Sequence, residues 1–310
     1  MQIPPDISKA STIFASRLQL VLLGDSLTQR ASEQGQTRKR TRGKRAIHVC
    51  ACVLISIFVY ISDGWATLLS HYYSRKSDTF NRGYSGYNSN HILSMVEQHI
   101  AAGAWPTGHA ASAPSSVKRP PTLLTLCLGA NDSCLKDGHS AVQSVPLEQY
   151  RENLASIIKL LKGADGTAAP ELHIIVIGPP QVDDPTWGLV SKQKHGLDHV
   201  PVQRNNDNTK LFSIAAGEVA AQFKLPFIDM YSLTSDWNAL LVDGLHFNTR
   251  GNHLLFTQLI DTIKRHYPHL QAENLPVDSF PFMQIETRTL EDTKAFFDKA
   301  ATQKQVAPKL

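Results

Sequence analysis

An apolar run of strand length, Leu18–Leu23, ends at Gly24 and is the first of several such runs along the chain. Runs of this kind are typical of strands that are buried on both faces of a parallel sheet. Segments with the spacing of amphipathic helices lie between them. The predicted strands are Leu18–Leu23, Asp78–Asn81, Thr122–Leu128, Leu172–Ile177 and Phe227–Ile228, and the predicted helices are Trp65–Arg75, His91–Ala102, Leu147–Lys162, Asn205–Phe223 and Asn252–His266. This alternation predicts an α/β fold, a three-layer α/β/α sandwich around a parallel sheet of about five strands.

Four short motifs occur where the carboxyl ends of such strands would form a site. They are Gly24–Leu27 (Gly-Asp-Ser-Leu), Arg82–Gly86 (Arg-Gly-Tyr-Ser-Gly), Gly129–Asp132 (Gly-Ala-Asn-Asp) and Asp243–His246 (Asp-Gly-Leu-His). The first three begin where an apolar run stops, and the fourth lies on a loop before the last predicted helix. Together they offer a nucleophile, an acid–base pair and N–H donors, which are the groups that acyl transfer requires.

Ser26 is the predicted nucleophile of this site. A serine hydroxyl is a poor nucleophile near neutral pH, so it needs a base within hydrogen-bond reach, and His246 is the candidate. Asp243 precedes this histidine by three residues on a turn that contains a glycine. Its carboxylate can accept the Nδ1 proton and leave Nε2 facing the serine. Taken alone, Asp-x-x-His could merely cap the following helix, but the other three motifs favour catalysis.

The order and residue types of the four motifs resemble those of the SGNH or GDSL hydrolases. A serine follows an apolar strand near the N-terminus, a glycine stands in the second motif, Gly-x-Asn-Asp forms the third, and Asp-x-x-His lies near the end of the domain. Residues 81–88, together with Leu-Pro at 275–276 and Phe-Pro at 280–281, are further similar to the isoamyl acetate-hydrolysing esterase branch. The resemblance implies the flavodoxin-like fold of SGNH hydrolases.

The resemblance also implies an oxyanion hole made of three donors. These are the backbone N–H of Ser26, the backbone N–H of Gly86 and the side-chain amide of Asn131. A glycine lets the backbone approach a ligand closely, and an asparagine amide is a neutral donor. Standing alone, Gly86 could equally be a turn glycine, and Asn131 could equally be a loop cap. Asp25 and Asp132 are expected to order their turns by accepting backbone N–H bonds.

The resemblance implies a single hydrolase domain over residues 1–282 and a polar C-terminal tail over residues 283–310. An atypical insert at about residues 35–62 interrupts the domain, and it combines basic residues with an apolar run, Ala46–Ile61. Three interpretations stay open: a membrane anchor, a lid, or translated intron sequence or another gene-model error. The run has 16 residues, fewer than the roughly 20 that a helix needs to cross a bilayer. We favour the third interpretation because joining Gln34 to Asp63 restores the sequence that the family resemblance leads us to expect.

Charge and cysteine content argue against several other classes of protein. Residues 36–62 contain six basic and no acidic residues. The rest of the chain has 25 basic and 27 acidic residues, so the formal net charge of +4 comes from this segment. Without a basic face we expect no nucleic-acid partner. The cysteines form no zinc pattern, and no phosphate loop or dinucleotide motif occurs, so we expect no cofactor and no metal. The N-terminal sequence lacks the features of a secretory signal, which predicts a cytoplasmic location and makes membrane association unexpected.

These observations predict a serine esterase that acts on a small-molecule ester. By resemblance we expect short acyl esters, acetates above all, to be hydrolysed through an acyl-enzyme. The same groups would serve a lipase, an acyl-CoA thioesterase or a carbohydrate deacetylase. From another class, the insert could make the chain a non-catalytic or membrane-tethered protein. A homo-oligomer is compatible with the sequence.

The segment from Asp183 to Arg204 follows a predicted strand and is expected to be a long loop. Loops at the carboxyl end of a parallel strand often contribute to ligand sites. This loop is therefore either a lid or wall of the acyl site, or a surface excursion without contact to substrate.

Overall fold

Five parallel strands form one sheet in the computed structural model, which describes residues 17–29, 63–102, 121–163, 172–277 and 289–304. The strands are β1 (Leu18–Gly24), β2 (Ser77–Gly83), β3 (Thr122–Cys127), β4 (Leu172–Ile177) and β5 (Phe227–Ile228). Their order in the sheet is β2-β1-β3-β4-β5, and every pair is parallel. This is the flavodoxin-like order, in which β2 and β3 are added on opposite sides of β1. The predicted fold class is confirmed.

Helices of the described residues before position 276 connect the strands and cover both faces of the sheet. They are α1 (Ser26–Gln29), α2 (Trp65–Tyr72), α3 (Ser89–Ala101), α4 (Leu147–Lys162), α5 (Asp184–His195), α6 (Asn206–Gln222), α7 (Met230–Leu233), α8 (Trp237–Leu240) and α9 (Thr249–His266). One more helix, α10 (Leu290–Lys304), follows later in the sequence. Short 3₁₀ turns lie at Ala141–Gln143, Pro268–Leu270 and Ala272–Asn274. The predicted elements are all present, with ends that differ by a few residues.

The hydrophobic core consists of two clusters, one on each face of the sheet. Alternate residues of β1 point in opposite directions because side chains of a strand alternate between its faces. Leu20 and Leu22 therefore join the cluster that α2 and α9 cover, whereas Val21 and Leu23 join the cluster that α3, α4 and α6 cover. All seven residues of β1 are buried. Each cluster joins the sheet to the helices on one of its faces, and the helices of one face, the sheet and the helices of the other face are the three layers.

The strands around β1 end at the same level, which brings the loops that follow them together. Gly24 at the end of β1 is paired with Gly83 on β2 and with Cys127 on β3. A Cβ atom at Gly24 would lie 2.4 Å from the carbonyl oxygen of Cys127, so only glycine fits between the strands here. The first three motifs therefore leave the sheet side by side, at the point where the strand order reverses.

The segment from Asp183 to Arg204 differs from the prediction of a long loop, because most of it is helix α5. The Asp183 side chain accepts a hydrogen bond from the N–H of Thr186, a proline lies in the first turn, and Gly196 ends the helix in the left-handed conformation. These are the ordinary start and stop signals of a helix. The apolar spacing was too weak to indicate it, since Gly188 and several polar residues interrupt the pattern.

The chain divides into two compact units, Met1–Leu275 and Pro276–Leu310. The second unit contains α10, a helix within the segment predicted as a polar tail. The insert at about 35–62 lies outside the described residues. No helix in the described part of the chain is both long and apolar enough to cross a membrane.

Candidate active site

Ser26, His246 and Asp243 form a continuous hydrogen-bonded chain at the carboxyl end of the sheet. The Nε2 atom of His246 lies 3.0 Å from the Oγ atom of Ser26. The Nδ1 atom of the same ring lies 2.7 Å from Oδ2 of Asp243. Because a carboxylate can only accept, Nδ1 carries the proton and Nε2 is left to accept from the serine hydroxyl. The structure thus brings together all three residues that the sequence assigned to catalysis.

Ser26 lies at the first position of α1, immediately after β1. The Oδ1 atom of the preceding Asp25 accepts a hydrogen bond from the N–H of Leu27 at 2.9 Å, so this carboxyl orders the turn as the sequence predicted. Asp25 is fully buried, and burial raises its pKa from 3.8 to about 7, although the N–H of Leu27 opposes the shift. The indole N–H of Trp65 on α2 donates to the carbonyl oxygen of Leu27 at 3.2 Å. The serine therefore stands on a turn that is fixed from two sides.

The motif Asp243–His246 is a tight turn that holds its own side chains. Oδ1 of Asp243 accepts hydrogen bonds from the N–H of Leu245 at 3.1 Å and of His246 at 2.8 Å. Burial acts to raise the pKa of this carboxyl, but the hydrogen bonds and charge of His246 outweigh it and hold that pKa below its usual value. Asp243 is therefore ionised near neutral pH and free to orient the imidazole.

Gly244 is required by the conformation and by the crowding of this turn. Its φ is +90°, which side chains of L-residues rarely adopt, and a Cβ atom there would lie 2.5 Å from the carbonyl oxygen of Asp183. The N–H of Asp183 donates to the carbonyl oxygen of Gly244 at 2.8 Å. The turn Asp243–His246 is thus packed directly against the start of α5.

Hydrogen bonds join the second motif to the first, and the residue that follows the second motif to the third. The N–H of Tyr84 donates to the carbonyl oxygen of Gly24 at 2.9 Å. The side-chain amide of Asn131 donates to the carbonyl oxygen of Tyr87 at 2.8 Å. Gly86 lies between these two contacts with a φ of +83°, and its carbonyl accepts from the side chain of Gln143. The three predicted oxyanion donors, on Ser26, Gly86 and Asn131, thus belong to one hydrogen-bonded group of loops.

Asp132 supports the third motif from behind. Its Oδ1 atom accepts a hydrogen bond from the N–H of Ser89 at the start of α3, at a distance of 2.8 Å. The carboxyl is fully buried, and burial raises its pKa to about 6 despite this hydrogen bond. As expected from the sequence, this aspartate orders the loop that carries Asn131.

Three residues near the site were not among the predicted site residues: Trp187, Arg204 and Gln143. Trp187, on α5, packs edge-on against the imidazole of His246 with ring centroids 5.5 Å apart. The guanidinium of Arg204 donates to the carbonyl oxygen of Ala130 and to Oδ1 of Asn131. The capping signals around α5 could have placed Trp187 on a helix. No pattern in the sequence marks Arg204 or Gln143, since each reaches the site through tertiary packing.

In the residues that the structure describes, no group of three or more histidine, cysteine, aspartate or glutamate side chains is arranged to hold a metal ion. Cys127 and Cys134 are buried free thiols, and burial raises the pKa of both.

Comparison with known proteins assigns the chain to a family. Residues 22–254 match the sequence profile of the GDSL-like lipase/acylhydrolase family. A GDSL esterase/lipase of Arabidopsis thaliana is 31% identical over 225 residues, which are 71% of this chain and 85% of that protein. The isoamyl acetate-hydrolyzing esterase 1 homolog of Rattus norvegicus is 30% identical over 77% of this chain and 86% of that protein. A crystal structure of Est24, a carbohydrate acetylesterase from Sinorhizobium meliloti, matches 81% of this chain and the whole of that chain with a TM-score of 0.48 and 14% identity. The chain therefore belongs to the GDSL-like lipase/acylhydrolase family and is a carboxylic ester hydrolase, as the four motifs predicted.

Proposed function

We propose that this chain is a serine esterase that hydrolyses short-chain acyl esters through an acyl-enzyme intermediate. The observation that carries the proposal is the hydrogen bond of 3.0 Å between Oγ of Ser26 and Nε2 of a histidine whose other nitrogen contacts a carboxylate. This arrangement activates a serine for attack on a carbonyl carbon. Ser26 and His246 are both buried, which strengthens the electrostatic interactions between them.

In the first half of the reaction, Oγ of Ser26 attacks the ester carbonyl carbon while Nε2 of His246 takes the hydroxyl proton. The carbonyl oxygen becomes an oxyanion, for which the N–H groups of Ser26 and Gly86 and the amide of Asn131 are the proposed donors. The intermediate collapses, the carbon–oxygen bond to the alcohol breaks, and His246 gives its proton to the departing alkoxide. Asp243 stabilises the imidazolium that exists between the two transfers.

In the second half, water replaces the alcohol. Nε2 of His246 takes a proton from this water as its oxygen attacks the acyl carbon, and an oxyanion forms again in the same place. Collapse of the intermediate breaks the bond to Oγ of Ser26, which recovers its proton from the imidazolium. The products are the carboxylic acid and the free enzyme, so the cycle consumes one water for each ester.

The preference for acetate and other short acyl groups is the finer part of the proposal. It is supported by the names of two relatives, the rat isoamyl acetate-hydrolyzing esterase 1 homolog and the isoamyl acetate-hydrolyzing esterase of Saccharomyces cerevisiae. The substrate of this chain would then be a small-molecule ester. A cytoplasmic location and the absence of a nucleic-acid partner stay predictions from the sequence.

The experiment is to measure hydrolysis of p-nitrophenyl acetate, butyrate and octanoate by the purified chain, alongside an acetylated xylo-oligosaccharide and acetyl-CoA. We expect the acetate and butyrate esters to give the highest kcat/KM. Ser26→Ala should abolish both turnover and covalent labelling by a fluorophosphonate probe. Ser94→Ala, which changes an exposed serine on α3, is the matched control and should leave both unchanged. Equal activity in Ser26→Ala and the wild type would refute the proposal.

A further inference from the structure

Arg204 is a buried arginine beside the proposed oxyanion hole. It lies between α5 and α6, and only 2% of its surface is exposed. Its Nε atom donates to the carbonyl oxygen of Ala130 at 3.0 Å, and its Nη2 atom donates to Oδ1 of Asn131 at 3.2 Å. A buried guanidinium is costly unless its environment compensates for the lost hydration. The acceptors that compensate this guanidinium belong to the loop that carries Asn131.

The contact with Arg204 determines which way the amide of Asn131 faces. Asn131 has one acceptor, Oδ1, and one donor group, Nδ2, on a side chain that can rotate by half a turn. Arginine can only donate, so Oδ1 must face the guanidinium. The carbonyl oxygen of Tyr87 can only accept, and it takes one Nδ2 proton at 2.8 Å. The second Nδ2 proton is then the one that remains for a ligand.

The hydrogen bond from a cation also strengthens the donor on the far side of the amide. A positive charge at Oδ1 draws electron density from the carboxamide and makes the Nδ2 protons more positive, as in other chains of polarised hydrogen bonds. No carboxylate in the described residues lies within 4.0 Å of the guanidinium, so its charge is not neutralised by a close ion pair. Nη1 has no hydrogen-bond partner there either.

The backbone of Arg204 is held in place independently of its side chain. Its N–H donates to Oδ1 of Asp184, at the start of α5, at 2.8 Å. The cation–π contact between the guanidinium and the ring of Trp187 on α5, with the guanidinium carbon 5.7 Å from the ring centre, is a separate contact of the side chain. The next residue, Asn205, caps α6. The loop can therefore keep its course when only the head group is changed.

We infer that Arg204 is a positioning residue for ester hydrolysis, which orients and polarises the carboxamide of Asn131 so that Nδ2 faces the oxyanion. This inference rests on the proposed function. It predicts that Arg204 acts through Asn131, so its contribution should disappear when that amide is absent.

The test is a double-mutant cycle of Arg204→Met and Asn131→Ala, with kcat and KM for p-nitrophenyl acetate. Loss of one oxyanion donor costs about 10² to 10³ in kcat, and we expect Arg204→Met to cost about 10 to 10². KM should change by less than about 3-fold, because the bound ester in its ground state has no oxyanion and the charge develops only as the serine attacks. Adding Arg204→Met to Asn131→Ala should lower kcat by less than about 3-fold further. Arg204→Lys keeps the charge but not the paired donors of the guanidinium, so its kcat should lie between those of the wild type and Arg204→Met.

Arg151→Met is the matched control. Arg151 on α4 forms ion pairs with Glu148 and Glu218 and has no contact with the site. We expect its kcat to equal that of the wild type. The folding of each variant is checked by circular dichroism and thermal unfolding, and if Arg204→Met does not fold, the same cycle is run with Arg204→Lys.

Equal losses of kcat from the Arg204 change in the wild type and in Asn131→Ala would overturn the inference, as would a rise in KM with kcat unchanged. Either result is distinct from failure of the proposed function, in which Ser26→Ala would hydrolyse the ester as fast as the wild type.

Discussion

The Nε2 atom of His246 lies 3.0 Å from Oγ of Ser26, although 220 positions separate the two residues in the chain. Ser26 leaves the end of β1, and His246 belongs to the turn that precedes α9. Both α9 and β1 contribute to the same core cluster, so packing on one face of the sheet fixes the distance between serine and imidazole. The contact between Ser26 and His246 is therefore a consequence of the fold and not of local sequence.

His246→Ala should lower kcat for p-nitrophenyl acetate by about 10⁴-fold or more, because the serine loses its base. KM should change little. The control is His253→Ala, an exposed histidine on α9, whose kinetics should match the wild type. Unchanged turnover in His246→Ala, measured under initial-rate conditions, would remove the histidine from the mechanism.

Asp243→Asn should lower kcat by up to about 10⁴-fold, since an amide in place of the carboxylate can donate to Nδ1 and move the imidazole proton to Nε2. The loss should not exceed that of His246→Ala. The measurement is a steady-state comparison of the two variants at pH 7 and 8. A larger loss in Asp243→Asn than in His246→Ala would contradict the supporting role of this aspartate.

Asp25→Asn should make stability less dependent on pH. The pKa of Asp25 is about 7 in the folded chain and 3.8 as its ordinary value, so the folded state keeps a proton that the unfolded state releases as pH rises between these values. Stability is then lost with rising pH, by up to about 1.4 kcal/mol per pH unit from this group. An asparagine does not titrate and removes this contribution.

The measurement is the free energy of unfolding in urea at pH 5, 6, 7 and 8, for the wild type, Asp25→Asn and the exposed control Asp261→Asn. The slope between pH 5 and 7 should be shallower in Asp25→Asn alone. Identical slopes in all three proteins would argue against a raised pKa at Asp25.

Gly244→Ala should lower both stability and kcat, because the new Cβ atom would meet the carbonyl oxygen of Asp183 at 2.5 Å on a residue with a φ of +90°. A strained backbone position of this kind costs about 1 to 3 kcal/mol. Gly196→Ala is the matched control: its φ is +64°, but nothing lies within 4 Å of the new atom. Both variants place a side chain on a residue with positive φ, but only Gly244→Ala adds the clash. Comparing their thermal unfolding and turnover therefore separates the clash from the conformational strain. A smaller effect at Gly244 than at Gly196 would contradict a clash between the new Cβ atom and the carbonyl oxygen of Asp183.

Deletion of residues 36–62 should raise the soluble yield and preserve hydrolysis. The apolar run Ala46–Ile61 is rich in β-branched and aromatic residues, which favour aggregation when they are exposed. Yield and p-nitrophenyl acetate turnover of the deletion variant are compared with the full chain. Loss of hydrolysis on deletion would show that the insert contributes to the site.

The alternation of apolar runs and amphipathic segments was sufficient to predict the sheet and most helices. The stripe on α4 is an example, since Tyr150, Leu154 and Ile157 recur at helical spacing and are all buried. Helix α5 was not predicted, because its apolar residues have no such period and only its capping residues indicate it. Site residues that belong to no sequence pattern were missed for the same reason.

Motif residues could be proposed because their identity and spacing are tied to a reaction. Ser26, Asp243 and His246 were assigned in this way, and the structure places them in contact, while their roles and those of the oxyanion donors stay predictions. Arg204 could not be found, because a single arginine carries no pattern and gains its significance only when the chain packs it beneath Asn131.

The indole of Trp65 bonds to the carbonyl of Leu27 across 38 positions of chain. The turn that bears the proposed nucleophile and helix α2 are thus held together by a direct hydrogen bond. Closing a loop twice as long between two such fixed points costs only about 0.6 kcal/mol more. The length of chain that joins Leu27 to Trp65 can therefore change at little cost in folding free energy, although that stretch begins beside Ser26.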